Sequence, residues 1–263
     1  MMGPLRAVLR LSALAAWTGG SVLYAWVTRR DWVQLWVRPT CRILGLTIVR
    51  SGPLPPRGTL VVANHVGYLD ILALATQIDT RFIAKSEIAQ WPLLGRLIRD
   101  AGTIFIHRQR LKDLPRVIAD MHDRLAAGDR VTWFPEGTST DGRGVLPFKS
   151  ALLQTAITRD IPIHTASLTF EAPSGVCPHE RLCWHGTTSL LPHLWRLAQV
   201  PNYRMTLTFA DRAVYQRDRK ALARATRESV VEHRETSRVL RYLPGRPSQP
   251  AGHGGSDLHP ARL

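Results

Sequence analysis

From about residue 58 onward, short apolar runs alternate with longer segments whose apolar residues repeat every three or four positions. The runs "TLVVA" (59–63) and "RVTWF" (130–134) are short and apolar with several β-branched residues, which is typical of buried strands. Between them, residues 111–128 carry the apolar stripe of an amphipathic helix. The alternation predicts an α/β domain with a mixed central sheet flanked by helices, in which ligands bind at one edge of the sheet.

The same reasoning predicts the other elements of this domain, which we expect to span residues 51–243. Strands are expected at 59–63, 81–85, 103–108, 130–134, 161–170 and 203–210, and helices at 68–78, 91–102, 111–128, 147–160 and 218–242. Residues 244–263 are rich in Pro, Gly and Ser, and we predict that they form a disordered tail.

The N-terminal region follows a different pattern. Residues 11–27 contain no charged residue, but as a helix they would be only about 25 Å long, at the lower limit for crossing a bilayer. Arginines flank this stretch, and the nearby tryptophans are typical of a membrane interface. We therefore expect residues 1–50 to form a membrane-associating helical hairpin or one marginal span. A cleaved signal peptide and a soluble core helix are the alternatives.

The charge balance narrows the choice of partner. The formal net charge of +15 favours an anionic partner, either nucleic acid or a membrane surface. The sequence has no zinc-finger spacing, no RNP-like aromatic stretch and no block of Lys and Arg, so we expect membrane lipid and no nucleic acid. Three cysteines without a CxxC spacing cannot form a closed disulfide framework, and they predict reduced thiols in a protein that faces the cytosol.

A polar cluster follows the strand at 59–63. In "NHVGYLD" (64–70), His65 and Asp70 are five positions apart, a spacing that a single helix would place on different faces. Gly67 allows the chain to turn, so we expect His65 to close the strand and Asp70 to lie in the first turn of the next helix. The carboxylate could then orient the imidazole as a general base. A purely structural hydrogen bond is the alternative.

Two further segments offer groups that bind anions or hydroxyls. "GTIFIHR" (102–108) ends on Arg108, whose guanidinium could bind a phosphate or carboxylate in a bidentate manner. "FPEGTSTDG" (134–142) offers backbone N–H and hydroxyl donors around Glu136. A solvated arginine and an ordinary turn are the respective alternatives.

Together with an apolar strand that begins near Pro162, these segments resemble the signature motifs of the glycerolipid acyltransferase family. The resemblance covers roughly residues 50–210, and the motifs agree in order and spacing. They are matched in turn by Asn64 and His65 with Asp70, by Gly102 to Arg108, by Phe134 to Thr138, and by Pro162.

The resemblance implies transfer of an acyl group to the hydroxyl of a lysolipid. His65 would take the proton from this hydroxyl, Asp70 would orient His65, and the hydroxyl would attack the thioester of acyl-CoA or acyl carrier protein. Neither a metal nor a bound cofactor is implied, and the site would face the cytoplasm at the inner membrane. The residues expected to bind substrate are Asn64, Lys85, Gly102, Arg108, Pro135, Glu136, Gly137, Thr138, Ser139 and Pro162.

One departure from the family pattern concerns the acceptor. Ser139 follows Glu-Gly-Thr where family members that act on lysophosphatidic acid commonly carry Arg, and a neutral hydroxyl cannot neutralise a phosphate dianion. Arg143 or Lys149 could compensate. The form "EGTSTDG" and the later "LLPHLWRL" (190–197) look more like bacterial lyso-ornithine lipid acyltransferases.

Several alternatives therefore stay open. The expected acceptor is 1-acylglycerol-3-phosphate, which would give phosphatidic acid, and lyso-ornithine lipid is the alternative. A hydrolase that uses the same His–Asp pair and a non-catalytic membrane-binding protein are the other candidates. No Ser-centred GxSxG motif supports the hydrolase.

Overall fold

The computed structural model describes residues 2–28, 33–91, 94–107 and 111–239, and within these ranges the chain forms seven strands and nine α-helices. The strands are β1 (Leu46–Ser51), β2 (Leu60–Ala63), β3 (Thr80–Lys85), β4 (Ile104–Ile106), β5 (Arg130–Trp133), β6 (Ile163–Glu171) and β7 (Tyr203–Phe209). The helices are α1 (Met2–Thr28), α2 (Val33–Leu44), α3 (Tyr68–Gln77), α4 (Leu94–Asp100), α5 (Leu114–Ala126), α6 (Leu153–Thr158), α7 (Pro178–Arg181), α8 (Leu190–Ala198) and α9 (Arg219–Val239).

The strands form one mixed sheet in the order β1-β7-β6-β2-β5-β3-β4. Neighbouring strands are parallel except for β6 and β7, which are antiparallel. This arrangement confirms the predicted fold class. Because β2, β3 and β5 are parallel, their carboxyl ends meet at the same edge of the sheet, where ligands bind in open α/β sheets.

Both faces of the sheet are covered by apolar side chains from the helices. Side chains of β2 alternate between the two faces: Val61 and Ala63 pack with α2, α3 and α8, whereas Leu60 and Val62 pack with α5, α6 and α9. All four β2 residues are fully buried, as expected for a strand in the middle of a covered parallel sheet. The segment that follows β2 therefore begins at a point of the backbone that the core holds in place.

The N-terminal helices α1 and α2 contact each other. The Trp17 indole donates a hydrogen bond to the Trp36 carbonyl at 3.1 Å, and the Trp36 indole donates to the Thr18 hydroxyl at 3.0 Å. Several large apolar side chains of α1 are exposed, among them Leu5 and Trp26. Within the described residues, no helix is long and apolar enough to cross a membrane.

Two segments differ from the prediction. Residues 46–50, which we expected to belong to the N-terminal helical segment, form most of β1, which pairs with β7, because the short run "LTIV" can bury Leu46 at the edge of the sheet. The helix expected at 147–160 is confined to α6. Its first residues instead connect to the preceding loop, where the Lys149 amide donates to the Pro135 carbonyl at 2.9 Å. The predicted tail at 244–263 lies outside the described residues.

Candidate active site

His65 follows the end of β2, and Asp70 lies in the first turn of α3, so the chain bends between them as predicted. His65 Nδ1 lies 2.7 Å from Asp70 Oδ2. Gly67 adopts a φ of 151°, and a Cβ at this position would lie 3.0 Å from the Trp184 backbone nitrogen. The turn therefore depends on a glycine both for its conformation and for the close approach of a second segment.

The Asp70 carboxylate is fully buried and organises the turn. Its Oδ2 accepts hydrogen bonds from the amides of Val66 at 2.6 Å and Gly67 at 3.0 Å, in addition to its contact with His65. A carboxylate can only accept hydrogen bonds, so we assign His65 Nδ1–H as the donor in the third contact. The other ring nitrogen, Nε2, then carries the lone pair that can accept a proton, which is the tautomer a general base needs.

The loop that follows β5 holds the backbone of His65 on both sides. Glu136 Oε1 accepts a hydrogen bond from the His65 amide at 2.6 Å, and the His65 carbonyl accepts from the Thr140 amide at 2.9 Å. The His65 ring stacks on Phe134, with ring centroids 4.2 Å apart and planes inclined by 17°. The third motif thus positions the histidine of the first motif.

Glu136 itself is buried, with 4% of its surface exposed, and both of its carboxylate oxygens accept from backbone amides. Besides the His65 amide at Oε1, the Leu146 amide donates to Oε2 at 2.8 Å. Burial raises the pKa of Glu136, and the two amide hydrogen bonds oppose this rise. We expected this carboxylate to bind the acceptor, but its contacts are those of a group that holds the His65 backbone.

Asn64 is also buried and links β2 to β6. Its amide nitrogen donates to the Leu168 carbonyl at 3.0 Å, and its amide oxygen accepts from the Leu168 backbone nitrogen at 2.8 Å. Both polar atoms of the side chain are therefore used to fix the strand that delivers His65.

A cleft of about 330 Å³ lies over His65. Of the predicted substrate-binding residues, Lys85, Thr138 and Ser139 line it together with His65. The remaining walls come from Ile71, Phe82, Ile83, Ala84, Glu87, Ile88, Trp91, Phe134, Trp184, His185 and Gly186. The mixture of a basic side chain, hydroxyls and apolar walls suits a molecule with an anionic group and an acyl chain.

The other predicted substrate-binding residues that the structure describes are not among the residues that line this cleft. Gly137 follows Glu136, and a Cβ built on it would lie 2.5 Å from Lys149 Nζ. Gly102 precedes β4, and Pro162 precedes β6 with its carbonyl accepting from the Leu60 amide, so both lie at the opposite edge of the sheet from His65. Arg108 lies outside the described residues.

Trp184 and His185 also line the cleft, although no sequence pattern predicted them as site residues. The Trp184 amide donates to the Val66 carbonyl at 2.8 Å and thereby fixes the segment after α7 against the His65 turn. No motif in the sequence marks these residues, because their contacts join parts of the chain that are far apart. Among residues 2–28, 33–91, 94–107 and 111–239, no group of three or more His, Cys, Asp or Glu could hold a metal ion.

Comparison with known proteins agrees with this geometry. The family model Acyltransferase matches residues 46–169. A 1-acyl-sn-glycerol-3-phosphate acyltransferase from Neisseria gonorrhoeae is 35% identical over 190 residues, which cover 71% of this chain and 73% of the relative. A lyso-ornithine lipid O-acyltransferase from Rhizobium meliloti (strain 1021) is 31% identical over 211 residues, which cover 74% of this chain and 72% of the relative.

The crystal structure of the 1-acyl-sn-glycerophosphate acyltransferase from Thermotoga maritima has the same fold. Its TM-score is 0.67 at 20% sequence identity, and the match covers 92% of this chain and 97% of that chain. The fold, the paired His65 and Asp70, and the similarity in sequence agree, and the chain belongs to the acyltransferase family.

Proposed function

We propose that this acyltransferase transfers a fatty acyl group from a thioester to the hydroxyl of a lysolipid, with His65 as the general base. The observation that carries this proposal is the 2.7 Å contact between His65 Nδ1 and the buried Asp70 carboxylate at the cleft. His65 Nε2 takes the proton from the hydroxyl as its oxygen attacks the thioester carbonyl. The carbon–sulfur bond then breaks, and the thiol leaves with that proton.

The acyl donor that we propose is acyl-CoA or acyl carrier protein, which acts as a substrate, and the reaction uses no bound cofactor. The donor supplies the activated carbonyl, so this chain has to provide a base and a binding surface. Trp91 and Ile88 on the wall of the cleft offer apolar surface for an acyl chain.

For the acceptor we propose 1-acylglycerol-3-phosphate, with phosphatidic acid as the product. The 35% identity to the Neisseria relative, whose name gives this acceptor, supports the proposal. Lys85 lines the cleft and Lys149 Nζ lies beside Gly137, so two ammonium groups are placed to attract an anionic headgroup. Arg143 is engaged by Asp141 at 3.2 Å and is less suited to this role.

Lyso-ornithine lipid is the second candidate acceptor, and Ser139 is the observation that favours it. Ser139 lines the cleft and brings a neutral hydroxyl to the position where an arginine would meet a phosphate monoester. The 31% identity to the Rhizobium relative, named for this acceptor, points the same way.

We further propose that the enzyme works on the cytoplasmic face of the inner membrane, to which it binds through α1 and through the net positive charge of the chain. The exposed apolar side chains of α1 would enter the interface, and the net charge of +15 would attract anionic lipid. Sedimentation with vesicles tests this step. Binding should increase with the fraction of anionic lipid and decrease with salt, and indifference to both would contradict it.

The function itself is tested by acyl transfer with the purified full-length chain. Labelled acyl-CoA and acyl carrier protein are each supplied with 1-acylglycerol-3-phosphate or with lyso-ornithine lipid, and His65→Ala serves as the control. We expect phosphatidic acid from the wild type and almost none from the variant. Product from lyso-ornithine lipid alone would select the second acceptor. Free fatty acid without acylated lipid would indicate a hydrolase.

A further inference from the structure

Helix α9 (Arg219–Val239) carries two arginines that bind the loop between β5 and α6 through its backbone carbonyls. Arg227 donates to the Val145 carbonyl from Nη2 at 2.6 Å and from Nε at 3.0 Å. Arg234 is buried and donates to the carbonyls of Gly142 and Arg143. The two side chains lie seven positions apart, so they project from the same face of the helix.

The loop that these arginines bind is the one that holds His65. The Leu146 carbonyl also accepts from Arg227, at 3.1 Å, and the Leu146 amide donates to Glu136 Oε2. Glu136 Oε1 in turn accepts from the His65 amide. A continuous series of hydrogen bonds therefore runs from the guanidinium of Arg227 through Leu146 and Glu136 to the backbone of His65.

Between β5 and α6, the described residues 134–152 form no helix or strand, so this loop depends on contacts with other parts of the molecule. By contrast, α9 is well anchored. Val230 and Leu222 are buried in the core, and the Ser229 hydroxyl lies 2.7 Å from that of Thr165 in β6. A charged guanidinium that donates to carbonyls from such a helix is a strong restraint on the loop.

We propose that Arg227 and Arg234 are positioning residues for acyl transfer. They fix the loop at Gly142 to Leu146, and this loop holds Glu136 and therefore His65 at the distance that proton transfer from the acceptor hydroxyl requires. The effect on acyl transfer rests on the proposed function, whereas the effect of the arginines on the loop does not. Both arginines lie outside residues 46–169, so a part of the chain beyond the family model supports the catalytic residue.

The first test is the kinetics of Arg227→Ala, because Arg227 is only partly buried and its removal leaves the core of α9 intact. Small displacements of a base reduce turnover steeply, so we expect kcat to fall about tenfold or more while the KM of the acceptor stays within about twofold. Arg227→Lys should recover part of the loss, since an ammonium can still donate to a carbonyl. The matched control is Arg224→Ala, one helical turn earlier and exposed, which should keep wild-type kinetics.

The second test needs no activity. Amide hydrogen exchange of the full chain should show faster exchange at the amides of His65 and Leu146 in Arg227→Ala, by about tenfold, with the Val230 amide unchanged. Arg234→Lys, which retains a buried cation, should accelerate the same two amides to a smaller extent.

Two outcomes would overturn the proposal. One is an Arg227→Ala variant that has the same kcat as Arg224→Ala and the same exchange at His65 and Leu146. The other is a variant in which the thermal midpoint falls and all core amides exchange faster together, with normal turnover per folded molecule. If the wild type transfers no acyl group to any acceptor, the proposed function fails, and the exchange data still decide whether the arginines hold the loop.

Discussion

The turn that carries His65 and the rim that carries Ser139 border the same cleft, but they are held very differently. In the turn, Asp70 is fully buried and three donors converge on one of its oxygens. On the rim, Thr138 is exposed, and so is Lys149, whose Nζ lies beside Gly137. The fold thus preorganises the proposed base, whereas we expect contacts with a headgroup to form largely when the substrate binds. Substitutions in the turn should therefore lower kcat, and those on the rim should change KM.

The largest effect is expected for His65→Ala, which removes the proposed base from the turn. General base catalysis contributes roughly 10²–10⁴-fold, so kcat should fall by that factor. The side chain is partly exposed at the cleft, and the thermal midpoint and vesicle binding should stay close to those of the wild type. A variant that keeps more than about a tenth of the wild-type kcat would show that another group takes the proton.

Asp70→Asn tests whether the carboxylate sets the tautomer of His65. All three donors meet one carboxylate oxygen, and an amide oxygen can replace it only as a weaker, neutral acceptor. The imidazole therefore loses the negative charge that favours the proton on Nδ1 and stabilises the imidazolium. We expect kcat to fall roughly 10²–10³-fold with little change in KM. Asp120 forms an exposed ion pair with Arg116, and Asp120→Asn serves as the control, which should leave kcat unchanged. An equal loss in both variants would contradict the role of Asp70.

Tyr68, the first residue of α3, has its hydroxyl 3.0 Å from Nδ1 of His193 in α8, and this buried histidine should limit stability in acid. Burial, together with the charge of Arg196, lowers the pKa of His193 from 6.5 to about 4. Between these two values the unfolded state binds a proton that the folded state does not, so the free energy of unfolding falls as the pH falls. From pH 7 to 4.5 this group should remove about 2 kcal/mol of stability.

Urea unfolding at both pH values measures this loss. His193→Gln keeps a polar side chain without a titratable group, and its stability should depend less on pH than that of the wild type by about 2 kcal/mol. Parallel pH dependences for the two proteins would show that His193 does not carry the effect.

Glu136→Gln separates the two roles considered for this residue. A glutamine can accept only one of the two amides that Glu136 binds, so the His65 backbone should lose part of its support. We expect kcat to fall about tenfold and the acceptor KM to stay within about twofold. A tenfold rise in KM at constant kcat would instead show that the carboxylate binds the acceptor, as its place in the sequence motif suggested.

Glu136 also shows where prediction from sequence ends. The bend between His65 and Asp70 could be predicted because its causes are local: a β-branched run, a glycine and the start of a helix. The partners of Glu136 are the amides of His65 and Leu146. The sequence of the motif is the same whether its carboxylate contacts a ligand or a backbone amide. Only the structure distinguishes these cases.

The same distinction applies to the fold. The alternation of strands and helices followed from apolar periodicity, and the predicted mixed sheet is confirmed. The pairing of β1 with β7 could not be predicted, because about 150 residues separate the two strands and no local pattern specifies a partner. The role of Arg227 could not be predicted for a similar reason, since it donates to the carbonyls of Val145 and Leu146, which lie 82 and 81 positions away in the sequence.

The smallest effect is expected on the open rim, for Ser139→Arg. A guanidinium at this position would join Lys85 on the cleft and could bind a phosphate monoester through two hydrogen bonds. Solvent screens a charge at such a site, so the KM for 1-acylglycerol-3-phosphate should fall only about three- to tenfold, with kcat unchanged. Ser139→Gln, which adds length without charge, is the control, and lyso-ornithine lipid is assayed in parallel. A drop in kcat for both acceptors would contradict the contrast between turn and rim, because it would place Ser139 within the preorganised machinery.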